Sequence, residues 1–218
     1  EKLRKEYQSR RKGRKRISFR DARRKRFMYN YRKETPVEPR MLGRKYFDDF
    51  DLKLLRKYID WTPFFHGWGL KGVFPQIFEK EKVGREAKRV FDEAQTMLDK
   101  IVNEKLIRPK GAIGLFPANS DGDDVLVFEN DERRRIIERI PMLRQQQMRD
   151  KNGYALSLSD YIAPVDSGIK DYFGGFAVTT GIGTDKHVER FKQEGDSYNS
   201  IMFRLIADRL VEAFAEVL

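Results

Sequence analysis

The sequence predicts an α+β domain in which a mostly antiparallel sheet is flanked by long helices. Three observations predict it. Apolar residues recur at three- and four-residue steps over residues 83–106 and again over 196–218, the period of an amphipathic helix. Between them, over residues 111–180, the apolar runs shorten and alternate, as strands require. No regular strand–helix–strand alternation and no internal repeat runs along the 218 residues, so a doubly wound parallel sheet does not fit.

Each element follows in chain order. Residues 1–45 hold 19 Lys and Arg against 5 Asp and Glu, a net of +14, whereas residues 46–218 are slightly acidic at −3. The formal charge of +11 therefore resides in a basic arm. The arm has few large apolar residues and no sustained helical period, so it is expected to be mobile or to wrap another surface. Its removal through residue 40 is expected to leave the thermal midpoint of the body unchanged. "YFDDFDLKLLRKYI" (46–59) predicts a helix, with Phe47, Phe50, Leu54, Leu55 and Tyr58 on one face and Asp48, Asp49 and Asp51 near its start. "VGREAKRVFDEAQTMLDKIVNEKL" (83–106) predicts the longest helix, stopped by "RPKG". "GAIGLFPAN" and "DVLVFEN" predict strands joined through "SDGDD", and "RRIIERIPML" and "DYFGGFAVTT" predict two more. "KHVERFKQE" and "DSYNSIMFRLIADRLVEAFAEVL" return to helix, the latter with Met202, Leu205, Ile206, Leu210, Ala213, Phe214 and Val217 in one stripe.

Composition excludes several function classes. There is no cysteine, hence no disulfide, thiolate metal site or cysteine nucleophile, and two histidines leave little room for a zinc site. No apolar run approaches a membrane span and no signal peptide is apparent, which points to a cytoplasmic protein. "GIGTDK" (181–186) lacks the third glycine of a dinucleotide fingerprint and reads as a turn. Asp121, Asp123 and Asp124 resemble a metal site, but solvated acids are ordinary in a Gly-containing turn. The arm could bind nucleic acid through counterion release, yet it lacks interleaved aromatics and the body behind it is not basic. The chain opens without an initiator Met and stops inside a helical pattern, so it reads as a fragment.

Two carboxylates stand apart. Asp60 lies in "YIDWTPFFHGWGLKG" (58–72), which contains both tryptophans of the chain, and Glu212 lies at the shoulder of the last apolar stripe. The aromatic stretch is either a plug for the core or a wall around a ligand. Each acid has either an internal partner or a ligand ammonium. The residue pattern leaves both pairs of alternatives open.

Six ordered blocks resemble the activation domain of cobalamin-dependent methionine synthase. They are residues 58–72, "VGREAKRVFDEAQTML" (83–98), "GAIGLFPANSDGDD" (111–124), "LRQQ" (143–146), "LSDYIAPVDSGIKDYFGGFAVT" (158–179) and "DSYNSIMFRLIADRLVEAFAE" (196–216). The resemblance implies a C-shaped α+β domain at 46–218, cut short at its C-terminal end. "ISFRDARRKRF" in the arm is similar to the linker from a preceding cobalamin domain, which makes 1–45 an interdomain tether and not a nucleic-acid arm.

The implied function is reductive reactivation: S-adenosylmethionine is bound and positioned to remethylate cob(II)alamin after one-electron reduction by flavodoxin or an equivalent reductase. Cobalamin itself belongs to the partner domain. Asp60 matches the aspartate of the family's "IDW" motif, and Glu212 the glutamate of its ligand-proximal helix. Both are expected to bind S-adenosylmethionine, with no catalytic side chain and no metal ligand. The module would be part of a 5-methyltetrahydrofolate–homocysteine methyltransferase and inactive alone. The family's Arg-Pro-x-x-Gly-Tyr-Pro stretch does not occur in residues 1–218. The alternative is therefore a docking domain that caps a cobalamin domain and recruits the reductase without binding the ligand.

Overall fold

The computed structural model describes residues 16–147 and 153–218. The first fifteen residues of the basic arm, and residues 148–152 of the connection after the fourth strand, lie outside the described residues. The chain divides into two compact units. One comprises the described residues up to Gly43 together with those of Gly114–Gly175, and the other Arg44–Ile113 with Phe176–Leu218. Among the described residues five strands are present: β1 (Gly43–Phe47), β2 (Lys110–Asp121), β3 (Asp124–Phe128), β4 (Ile136–Pro141) and β5 (Asp171–Thr179). β3 pairs antiparallel with both β2 and β4, and β1 and β5 also pair with β2.

The second unit is mainly helical, with α2 (Leu52–Leu55), α3 (Thr62–Gly67), α4 (Gly84–Asn103), α5 (Thr184–Gln193) and α6 (Ser197–Val217). The periodic stretches form the two longest helices, as expected. α4 buries Ala87, Val90, Ala94, Leu98 and Ile101, and α6 buries Met202, Phe203, Ile206, Leu210, Ala213 and Phe214 in the same cluster. α4 ends at Asn103, before the predicted stop. Lys105 adopts φ 49°, and the Leu106 N–H donates to the Ile101 carbonyl at 3.1 Å. This is the six-to-one closure of a helix end, with a lysine where glycine is usual. At the other end Gly84 allows a close approach: a Cβ there would lie 2.2 Å from the Phe78 carbonyl oxygen.

The helix predicted over 46–59 is replaced by three short pieces. Tyr46 and Phe47 belong to β1, and helix begins only at Leu52, where the Asp51 side chain accepts from the Lys53 N–H. A 3-10 turn, Arg56–Tyr58, follows. Of the three acids expected near a helix start, Asp51 caps α2, while Asp48 pairs with Lys110 and Asp49 with Lys105. The apolar spacing was real, since Phe47 and Phe50 pack on Phe214. The cluster is assembled by tertiary contact instead of by one helix.

In the first unit β2 turns into β3 at Asp121↔Asp124, with Gly122 at φ 64° supplying the left-handed residue of the hairpin. Part of the described arm, residues 17–31, is anchored here at individual side chains and backbone groups. α1 (Phe19–Arg24) is capped by Ser18 and buries Ala22 completely. The Ile17 N–H donates to the Gln146 carbonyl and the Ala155 N–H to the Lys25 carbonyl. Tyr31 is buried, and its hydroxyl donates to the Asp160 carbonyl at 2.7 Å. The expectation of an arm with nothing to bury does not describe residues 16–31. Their few apolar side chains are placed individually, not periodically, so a periodicity argument passes over them. Among the described residues, no helix is long and apolar enough to cross a membrane.

Candidate functional site

Asp60 lies between the 3-10 turn Arg56–Tyr58 and α3, and both of these elements pack on α6, the helix that carries Glu212. Pro63 near the start of α3 suits a helix beginning. Two residues before that helix begins, Asp60 Oδ1 accepts from the Thr62 N–H at 2.9 Å. That local turn fixes the carboxylate without a cation. Thr62 in turn accepts from the Phe74 N–H through Oγ1, at 3.1 Å. Asp60 is exposed, and among the described residues its other oxygen meets no donor.

The aromatics around Asp60 are mostly core. Phe64 and Phe65 are fully buried and Trp61 nearly so. Trp61 meets Phe64 and Phe91 edge-on at 5.3 and 4.9 Å, while Phe65 contacts Phe64, Phe74, Phe78 and Phe91. The plug reading is correct for these side chains. Burying each contributes roughly 1.5–3 kcal/mol, which anchors the backbone on one side of Asp60. These three aromatics face the interior and fix where the backbone beside Asp60 sits, whereas Tyr58, two residues before it, is exposed.

Glu212 is also exposed and has an internal partner. Arg209, one turn earlier on α6, donates from Nη1 and Nη2 to its two carboxylate oxygens at 2.6 and 2.7 Å. No hydrogen bond links Glu212 to Asp60; each is held by its own donor. Nothing in the periodicity singled out Arg209, since an i, i+3 pair of opposite charge is common on helix surfaces.

The turn acids are satisfied by arginines. Arg139 donates to both Asp121 and Asp124, at 3.0 and 2.9 Å. Asp123 accepts from Arg23 at 2.6 Å and from the fully buried Arg144 at 2.7 Å. Arg144 also forks onto Asp160, at 2.8 and 2.7 Å. Burial alone raises the Asp123 pKa, but hydrogen bonds from Arg23 and Arg144 outweigh it and hold the carboxyl below its usual range. Among the described residues no group of three or more His, Cys, Asp or Glu could hold a metal. Nothing in "LRQQ" (143–146) marks Arg144, because a buried cation is legible only from its partners.

Residues 51–218 match the family described as the vitamin B12 dependent methionine synthase activation domain. The structure is also similar to one described as the crystal structure of the MetH reactivation domain bound to AdoHcy, with a TM-score of 0.87 and 43% identity. That match covers 93% of this chain and 62% of the other. Coverage of 93% is more than residues 51–218 alone can supply, so the likeness reaches into the first fifty residues. With an α+β architecture, an antiparallel sheet and the matched span in agreement, the chain belongs to the activation domain family of vitamin B12 dependent methionine synthase.

Proposed function

We propose that this chain is the reactivation module of a cobalamin-dependent methionine synthase and binds S-adenosylmethionine through Asp60 and Glu212. The observation that carries the reading is the 43% identity to a reactivation domain bound to AdoHcy, the compound left when S-adenosylmethionine gives up its methyl group. Two features of the chain support it. Both carboxylates are exposed, and both are oriented in advance, by the Thr62 N–H and by Arg209. An anionic oxygen held in place suits a ligand that carries an ammonium and a sulfonium.

The cobalamin, held by a partner domain and reduced by flavodoxin or an equivalent reductase, supplies the cobalt centre that accepts the methyl group. The chain's own contribution is placement. Holding the donor in line for displacement converts a bimolecular encounter into an intramolecular one, and none of its side chains need act as acid, base or nucleophile. In this reading the basic arm before α1 leads to the cobalamin domain as a tether.

Calorimetric titration of S-adenosylmethionine into the chain tests the proposal. A charge-assisted hydrogen bond contributes roughly 1.5–3 kcal/mol, so Asp60→Asn is expected to weaken binding by about one to two powers of ten. Its thermal midpoint should barely move, because Asn keeps the oxygen that accepts from Thr62. Unchanged affinity with a lowered midpoint would show that Asp60 serves the fold alone. Absence of S-adenosylmethionine binding by the unaltered chain, with retained affinity for a cobalamin domain, would favour the docking reading.

A further inference from the structure

We infer that Arg209 is a positioning residue for ligand binding and acts through Glu212, an inference that rests on the reading that Glu212 contacts S-adenosylmethionine. The two side chains are three residues apart on α6 and so share a face. Their exposures differ: the Arg209 side chain is 11% exposed and that of Glu212 61%. Packing therefore fixes the guanidinium, and the guanidinium fixes the carboxylate. The contact is two parallel N–H to oxygen bonds of 2.6 and 2.7 Å, the planar fork geometry that sets direction as well as distance.

A glutamate that is mostly exposed samples several rotamers, and a ligand that uses it must immobilise one of them. With Arg209 present that selection is already made in the free chain. Each carboxylate oxygen keeps a second acceptor direction for a ligand donor. The opposing effect is that the Arg209 charge offsets that of Glu212 for a cationic ligand. Water around an exposed carboxylate screens this term, so the orientation effect dominates. Asp60 has an equivalent support in the Thr62 N–H. That donor belongs to the backbone, which makes Arg209 the support that side-chain substitution can remove.

The test is a double-mutant cycle read by calorimetric titration of S-adenosylmethionine, with thermal midpoints measured in parallel. Arg209→Met keeps the packed stem and removes the fork. It is expected to weaken binding about three- to tenfold, the cost of fixing one long side chain. In a Glu212→Gln background the same substitution should change affinity less than about twofold. Arg209→Lys keeps stem and charge without the planar fork, and should follow Arg209→Met; it replaces that variant if the methionine form does not fold. An equal loss in both backgrounds would show that Arg209 supports only the fold, and unchanged or tighter binding in the single variant would overturn the inference outright. If the unaltered chain binds no S-adenosylmethionine, the parent reading fails first, and that result is distinct from either outcome of the cycle.

Discussion

The aromatic stretch at 58–72 and the basic arm at 16–31 invert each other. The first has the composition of a ligand wall, yet Trp61, Phe64 and Phe65 are core, while Asp60 is exposed between them and the preceding turn. The second has the composition of a solvated tether, yet Ala22 and Tyr31 are buried and Arg23 reaches the buried Asp123. In both, the average character of the segment points the wrong way and individual residues decide. An aromatic cluster contributes most where it excludes water completely. A basic segment can be anchored by one cation and one ring while its remaining charges stay in solvent.

Substitutions in the two regions test this inversion. The largest effect is expected from Phe65→Ala. The side chain is fully buried among four rings, and truncation of such a phenylalanine costs about 3–5 kcal/mol. Denaturant unfolding would measure it, and a loss below about 1 kcal/mol would return the stretch to a surface role.

Arg144→Met comes next and probes the site to which the arm is anchored. Removing a cation whose side chain is fully buried leaves Asp123 and Asp160 facing each other's charge without it. Breaking a buried pair in this way costs about 3–5 kcal/mol. The same network predicts a pH dependence. The Asp123 pKa is depressed in the folded chain, so its contribution is present above the unfolded carboxyl value of about 3.9 and is lost as pH falls through the lower folded value. Acid unfolding of the unaltered chain should therefore steepen below about pH 4, and Asp123→Asn should remove that part of the slope.

Tyr31→Phe has the smallest expected effect and separates an anchored arm from a free one. It removes one buried hydroxyl donor to the Asp160 carbonyl, at a cost of about 1 kcal/mol. Deletion through residue 40 should lower the midpoint further, since it also removes Ala22 and the Arg23 contact. A midpoint indifferent to both changes would mean that residues 16–31 are a tether alone.

The two long helices were legible from spacing because a 3.6-residue period survives any tertiary context that buries one face. β2 to β5 were legible from the change of period and from the Gly-containing turn, whereas β1 lies where a helix was expected. The helix predicted at 46–59 failed because Phe47 and Phe50 reach Phe214 from outside any helix, and apolar spacing alone cannot distinguish that from a helical stripe. Motif likeness singles out Asp60 and Glu212 as the proposed ligand contacts, whereas nothing local singles out Arg209 and Thr62, which hold them. A helix-surface arginine and a threonine after tryptophan carry no signal until their partners are known.

What the sequence by itself determined is the fold class, through residue spacing, and the family, through the likeness of its ordered motifs. Tertiary structure decided which aromatic faces the interior, where the arm is anchored, and which donor orients each acid. Arg23 and Asp123 are a hundred residues apart in the chain and 2.6 Å apart in space. Charge partners at such separations are chosen by the packing of whole elements, and no local pattern of residues encodes that choice.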